Sequence, residues 1–201
     1  VFVQTNVLDA TQHDGRRDHL FHNNRDGTFT DVTDAAGIAG VTQGHSATWW
    51  DDDEDGWPDL YVANDFAQPD QLYRNNRNGT FTNMLSAVVP HTPHFSMGAD
   101  VGDLNNDGHL DLFVPDMAAT TRVKDHRGMA RMRSVLSEDE QRPKAAPQYM
   151  QNALFLGTGT GRMLEAAHLA GMPATDWTFG VRLEDLDLDG QLDAYFTNGM
   201  V

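Results

Sequence analysis

The sequence predicts an all-β protein: a partial β-propeller of about three four-stranded blades, with one short helical insertion. Two observations carry this prediction. Short runs of β-branched and aromatic residues alternate with turns rich in Gly and Asn. The pattern recurs, with 52 residues between Asp18 and Asp70 and again between Asp51 and Asp103. Four short strands about every fifty residues are typical of a propeller blade.

The first repeated element is a β-hairpin. DHLFHNNRDGTFTDVT from Asp18 aligns with DQLYRNNRNGTFTNML from Asp70, and a weaker copy, NALFLGTGTGRMLEAA, begins at Asn152. In each copy an apolar pair precedes a turn that ends in Gly, and a strand then resumes. The GTGTG motif at 157–161 resembles a phosphate-binding loop, but it aligns with the turn NNRNG, so we expect an ordinary hairpin.

The second repeated element is an inner strand, an acidic loop and an outer strand. Each inner strand has a small residue five positions before the loop: Ser46, Gly98 and Gly180. The repeats are expected at about 7–64, 65–117 and 149–201, within a single domain segment covering 1–201. The longer interval between the second and third loops places one insertion at 118–148.

Negative charge is concentrated in the loops. The chain has 30 acidic and 14 basic residues, and without the fourteen acids of the three loop windows the two kinds nearly balance. The loops share the pattern D-x-[DN]-x-D-G-x-x-D, in which alternate side chains converge and the Gly permits a sharp turn. The backbone carbonyl after that Gly can add an oxygen. The predicted ligands are Asp51, Asp53, Asp55, Trp57 and Asp59; Asp103, Asn105, Asp107, His109 and Asp111; and Asp185, Asp187, Asp189, Gln191 and Asp193.

Clustered carboxylates repel one another unless a cation neutralises them. A ligand set made only of oxygens selects a hard cation, so up to three Ca²⁺ sites are expected. Mg²⁺ fits these loops less well. The alternative is an acidic turn that binds no metal. An EF-hand needs Glu at its twelfth position, where this chain has Val62, Val114 and Phe196. The runs LYVAN, LFVPD and AYFTN also predict that each loop leads into a strand.

The loops followed by DLYV and the LYRNNRNGTFT hairpin resemble FG-GAP/VCBS repeats, the calcium-bearing blades of integrin α-type β-propellers. HFSMGADVGDLNNDGHLDLFVPDMA and DWTFGVRLEDLDLDGQLDAYFTNGM are similar to blades of the cartilage acidic protein-like group, often associated with an ASPIC/UnbV tail. The resemblance implies Ca²⁺ at the loops, an extracellular, periplasmic or cell-surface location, and adhesion or binding rather than catalysis. Asn105 departs mildly from the pattern and lowers the charge of the second site.

A closed propeller of about seven blades would need about twice this length. Val1–Val3 also resembles an outer strand whose acidic loop is not in the sequence. We therefore expect an internal segment, with the remainder of the propeller in a longer parent chain. A miniature propeller closed from these blades is the alternative.

The insertion differs in composition from the blades. Between Arg122 and Lys144 it holds half of the basic residues, and a short helix is expected there. One side of that helix would carry the apolar residues Met129, Met132, Val135 and Leu136. Such a helix either docks a partner or packs on its own propeller.

Several function classes are disfavoured. The net charge of −16 argues against nucleic acid as a partner, and no apolar stretch reaches the roughly 20 residues of a membrane span. No Cys is present, and no catalytic residue is predicted. The pair His91 and His94 lacks an acidic partner, and GHSAT at 44–48 lacks the final Gly of a nucleophile elbow.

The leading hypothesis is a non-enzymatic Ca²⁺-binding module with a protein or carbohydrate partner. The tryptophans beside the first loop are expected to pack between blades, although an exposed Trp57 can stack on a sugar ring. The alternatives are a Ca²⁺-dependent polysaccharide lyase or hydrolase and a docking subunit of a larger surface complex.

Overall fold

The computed structural model describes residues 2–3, 17–38, 40, 42–66, 68–129 and 146–199, with only the backbone at 2–3 and 127–129. The all-β prediction is confirmed, because the described residues form small, mostly antiparallel sheets with few helices. No helix in these ranges has the length and apolar character needed to cross a membrane.

The strands and helices are short, as expected for a chain punctuated by Gly and Asn. The strands in chain order are β1 (Phe2–Val3), β2 (His19–Asn23), β3 (Phe29–Asp31), β4 (Gly44–Trp50), β5 (Asp59–Asn64), β6 (Gln71–Asn75), β7 (Phe81–Asn83), β8 (Thr92–Pro93), β9 (Asp100–Gly102), β10 (Asp111–Val114), β11 (Gln148–Tyr149), β12 (Ala153–Gly157), β13 (Met163–Glu165), β14 (Thr178–Glu184) and β15 (Asp193–Asn198). The helices are α1 (Thr33–Ala36), α2 (Leu85–Val88) and α3 (Arg122–Met129).

All three predicted hairpins form. Strands β2–β3, β6–β7 and β12–β13 are antiparallel pairs. The GTGTG motif lies in the turn of the third hairpin, where Gly157 pairs with Met163. The prediction of a hairpin turn rather than a phosphate-binding loop at this motif is confirmed.

The predicted outer strands also form. Each acidic loop connects two antiparallel strands, β4 to β5, β9 to β10, and β14 to β15. The strand β1 pairs with β2 as β5 pairs with β6, which agrees with the expected outer strand at the start of the chain. Val1 lies outside the described residues.

The sheets are offset from the sequence repeats. The two four-stranded sheets have the orders β4-β5-β6-β7 and β9-β10-β12-β13. Each therefore takes its first two strands from one repeat and its hairpin from the next, because the outer strand pairs with the hairpin that follows it. A third sheet is β1-β2-β3, and β14-β15 form a fourth.

The sheets stack face to face in chain order. In β5, Leu60 and Val62 cluster with Leu20 of the first hairpin, whereas Tyr61 on the opposite face clusters with Leu112 of β10. The alternation continues in β10, where the other face clusters with residues of β14 and β15. Successive side chains of a strand point to opposite faces, so each outer strand fills two interfaces.

The inner strands contact one another. The hydroxyl of Thr48 in β4 donates to the carbonyl of Ala99 just before β9, at 3.0 Å, and the N–H of Leu183 in β14 donates to Asp100 at 2.9 Å. A Cβ on Gly98 would stand 3.2 Å from the carbonyl oxygen of Phe179. This close approach gives a physical reason for the small residue predicted there.

Two ends of the sheets can be distinguished. The loop end holds the acidic loops and the hairpin turns, and the opposite end holds the connections that follow the outer strands. The chain leaves the second sheet after β10 at the opposite end to enter the insertion, and there β11 pairs in parallel with β8. The first part of the insertion's expected helix is present as α3; residues 130–145, with Met132, Val135 and Leu136, and the side chain of Met129 lie outside the described residues.

Candidate metal centre

The three acidic loops share one hydrogen-bonding pattern. At the first position, Asp51 accepts the backbone N–H groups of Asp55 and Gly56 at 2.9 and 2.7 Å. The equivalent distances are 3.0 and 2.9 Å at Asp103, and 3.1 and 2.9 Å at Asp185. The pattern folds the chain around the first carboxylate in all three copies.

The fifth position supports the seventh. The carboxylate of Asp55 accepts the backbone N–H of Trp57 at 2.8 Å, and the corresponding pairs are His109 to Asp107 at 2.9 Å and Gln191 to Asp189 at 2.8 Å. These bonds fix the backbone of the residues whose carbonyl groups are predicted ligands.

Two positions in each loop adopt left-handed backbone conformations. The expected Gly is one, with φ of 86° at Gly56. The other is the fourth position, where Glu54, Asn106 and Leu188 have φ of 60°, 56° and 63°. Glu and Leu are unusual there, because a side chain in this region costs about 1–2 kcal/mol. Nothing in the residue types of Glu54 and Leu188 indicates this conformation.

The last carboxylate connects the loop to its sheet. Asp59 is 1% exposed; it accepts the N–H of Asp52 at 2.9 Å and that of Asn75, in the following hairpin, at 2.7 Å. Asp111 likewise accepts the backbone N–H of Leu104 at 2.8 Å and that of Gly157, in the third hairpin, at 2.9 Å. Burial raises the pKa of Asp59 to about 6 and also raises the pKa of Asp111. The sequence predicted these residues as ligands but not as links to the hairpin.

The structure brings the predicted ligands together at two loops. Carboxylate oxygens of Asp51, Asp53 and Asp59 lie within 4.8 Å of one another, and those of Asp185, Asp187 and Asp193 do the same. Asp55 and Asp189 are not members of these groups. The second loop has Asn105 at the third position, which leaves only the Asp103 and Asp111 carboxylates at the positions that form the other two groups.

The first group fits a divalent cation. Oδ1 of Asp53 is buried and has no hydrogen-bond partner among the described residues. A buried anionic oxygen without a partner is costly, and a cation would offset that cost. The three carboxylates offer only oxygen ligands, which suits Ca²⁺.

Arginines from the following hairpin lie beside the first loop. Nε of Arg74 donates to Asp52 at 3.0 Å and lies 3.2 Å from a carboxylate oxygen of Asp53. Nε of Arg77 donates to Asp55 at 2.7 Å. Burial raises the pKa of Asp52, and Arg74 offsets part of that rise. These two cations partly balance the most acidic of the three loops.

The remaining candidate residues, all among those described, do not form a second site. His91 is buried against Tyr149 and Phe155, and burial lowers its pKa. GHSAT at 44–48 lies within β4 rather than at a strand-to-helix turn. Of the three tryptophans expected to pack between blades, Trp50 is buried, whereas Trp49 and Trp57 are 40% and 47% exposed.

A buried carboxylate at the opposite end was not predicted. Asp70 precedes the second hairpin and accepts hydrogen bonds from the hydroxyls of Tyr61 and Ser96 and from the N–H of Asn64. Burial raises its pKa to about 7. The only sequence signal was its equivalence to Asp18 in the hairpin alignment.

Comparison with known proteins agrees with the loop geometry over part of the chain. Residues 51–114 match the family model of the FG-GAP-like repeat. They run from the first acidic loop to the end of β10. No curated protein matches the chain. The segment 51–114 is therefore similar to an FG-GAP-like repeat, in agreement with the resemblance seen in its loops and hairpin.

Proposed function

We propose that this chain is a Ca²⁺-binding β-propeller segment that acts as a binding, adhesion or assembly module outside the cytoplasm. The observation that carries the proposal is the group formed by Asp51, Asp53 and Asp59, in which the buried Oδ1 of Asp53 meets no hydrogen-bond partner in the described part of the chain. The group formed by Asp185, Asp187 and Asp193 repeats the arrangement.

The role of the ion in this proposal is structural. Asp51 opens the loop, Asp53 lies in its middle, and Asp59 begins β5. A cation held by all three ties the loop to the sheet and neutralises carboxylates that otherwise repel one another. Trp57, His109 and Gln191 would add backbone carbonyl oxygens.

Sheet stacking in chain order, with inner strands in contact, supports the propeller. The FG-GAP-like repeat supports a binding or adhesion role, since such a module presents loops to partners. The finer family, close to cartilage acidic protein-like and integrin α-type blades, and the extracellular, periplasmic or cell-surface location are parts of the same proposal. The partner, a protein or carbohydrate, would contact the opposite end, where the longest connection lies.

Calorimetric titration of the chain with CaCl₂ tests the proposal. We expect saturable binding with dissociation constants of about 10⁻⁴–10⁻³ M and weaker binding of Mg²⁺. Asp187→Asn should remove one site. Glu184→Gln, an exposed acid beside the same loop, removes the same charge and should keep all sites. A wild-type chain that binds no Ca²⁺ at millimolar concentration would refute the proposal.

A further inference from the structure

Neighbouring acidic loops are hydrogen-bonded to each other. The carboxylate of Glu54 in the first loop bonds Nδ1 of His109 in the second. The side-chain amide of Asn106 in the second loop donates to the side-chain oxygen of Gln191 in the third. Both contacts join the fourth position of one loop to the seventh position of the next, although the residue types differ. We name them the first and second loop links.

Each loop link connects two sets of predicted ligands. Glu54 lies between Asp53 and Asp55, and the backbone N–H of His109 donates to Asp107. The second link has the same form, because Gln191 donates its N–H to Asp189. The seventh position also carries the carbonyl group predicted to bind the ion. A change in one loop therefore has a short bonded path to the next.

The third hairpin is shaped around the first loop link. A Cβ on Gly159 would stand 2.5 Å from Cε1 of His109. The other two hairpins have Arg25 and Arg77 at this position of the alignment. Gly159 leaves the imidazole the space it occupies, so the GTGTG turn holds His109 on one side and Glu54 holds it on the other.

We propose that the loop links couple cation binding between neighbouring loops, so that occupancy of one loop raises the affinity of the next. The proposal rests on the proposed Ca²⁺ function. Binding orders the left-handed fourth residue of a loop and thereby positions its side chain against the seventh residue of the neighbour. The neighbour then loses less conformational entropy when it binds its own ion. By linkage the effect is reciprocal.

Terbium luminescence excited through Trp gives a readout centred on the first loop. Trp57 occupies the seventh position there, and Trp49 and Trp50 end the strand that enters it, whereas the second and third loops have His109 and Gln191. Trp177 precedes β14, at the opposite end. The measured quantity is the Tb³⁺ affinity of the first loop in the full chain.

The decisive variants lie in the second loop. Asp107→Asn weakens a predicted ligand there but keeps an oxygen that can accept the His109 N–H, and we expect the first loop to bind Tb³⁺ about fivefold more weakly, at the low end of usual coupling strengths. His109→Ala should weaken Tb³⁺ binding at the first loop equally, and adding Asp107→Asn to that variant should cause no further loss. His109→Gln, which copies the residue of the third loop, should retain wild-type affinity.

The outcomes separate the two proposals. If wild-type chain binds neither Tb³⁺ nor Ca²⁺, the proposed function fails. If it binds both but Asp107→Asn leaves the first-loop affinity unchanged, or the losses from Asp107→Asn and His109→Ala multiply, the coupling is refuted. Circular dichroism verifies folding of each variant. Gln191→Ala tests the second link separately, in a chain whose first loop cannot bind because of Asp53→Ala. Calorimetry should then show positive cooperativity between the second and third loops, and Gln191→Ala should abolish it. Unchanged cooperativity in the Gln191→Ala variant would also refute the coupling.

Discussion

Asp59 and Asn75 join an acidic loop to the hairpin of the next repeat, through a 2.7 Å hydrogen bond from the backbone N–H of Asn75 to the buried carboxylate. We predict that Asp59→Ala lowers the free energy of unfolding by about 2–3 kcal/mol even in EGTA, because two partly buried N–H groups lose their acceptor. Urea denaturation measures the change.

Asp193→Ala is the matched control for this prediction. Asp193 occupies the same loop position but is exposed, and it accepts the N–H of Leu186 at 3.1 Å. In EGTA its loss should cost less than about 1 kcal/mol. Equal costs for the two variants would contradict the assigned role of Asp59.

Removal of Ca²⁺ should destabilise the chain. A ligand that binds only the folded state at about 100 times its dissociation constant adds about 2.7 kcal/mol per site. We expect thermal scans in EGTA to show a melting temperature several degrees below that in 10 mM CaCl₂, with a smaller difference for Asp53→Ala. A melting temperature insensitive to EGTA would count against bound Ca²⁺.

The third hairpin allows a comparison of two Gly residues. Gly159 and Gly161 both have positive φ, 64° and 76°, but a Cβ on Gly161 would meet no atom of the described residues within 4 Å. Gly161→Ala should therefore cost about 1–2 kcal/mol of stability from backbone strain alone. Gly159→Ala should cost clearly more, because the methyl group overlaps His109.

A double-mutant cycle identifies the source of that extra cost. In a His109→Ala background, the stability cost of Gly159→Ala should fall to about that of Gly161→Ala, as measured by urea denaturation. If the imidazole is gone and the difference between the two substitutions persists, the overlap with His109 is not its cause.

Asp70 should make the stability depend on pH. Its pKa is raised from 3.8 to about 7 in the folded chain by burial, so the folded state keeps a proton that the unfolded state releases. Stability from this group is present below the unfolded pKa and is lost as pH rises from about 4 to 7. Asp70→Asn should reduce the change in unfolding free energy with pH by up to about 1.4 kcal/mol per pH unit.

Equilibrium urea unfolding between pH 4 and 8, in EGTA, tests this prediction. The exposed Asp34, on α1, provides a control, since Asp34→Asn leaves Asp70 in place and should preserve the decline between pH 4 and 7. Identical pH profiles for Asp70→Asn and wild type would show that Asp70 does not titrate as described.

Local features of the fold could be predicted from the sequence. Gly and Asn at fixed offsets define the hairpin turns, and the β-branched runs after each loop define the outer strands. These signals act over a few residues, which is why even the divergent turn at 157–161 was predicted correctly. The alternating ligand positions were also predicted, and two of the three loops bring three of their carboxylates together.

Features that arise from sheet stacking could not be predicted. The burial of Asp59 depends on β6 pairing with β5, and the bond between Glu54 and His109 joins residues 55 positions apart. Neither residue type indicates these contacts, because each is set by the position of another repeat. The left-handed conformation of Leu188 likewise follows from the loop as a whole rather than from a preference of Leu.

The separation of the two ends of the sheets has a consequence for how such a chain diversifies. The thirty or so extra residues after β10 enter and leave at the edge remote from Asp103 and Asp111. Both carboxylates keep the hydrogen bonds found at the first loop, whose sheet carries no such insertion. A segment inserted after an outer strand can thus change the opposite end of the molecule without altering the hydrogen bonds that shape the acidic loops at the loop end.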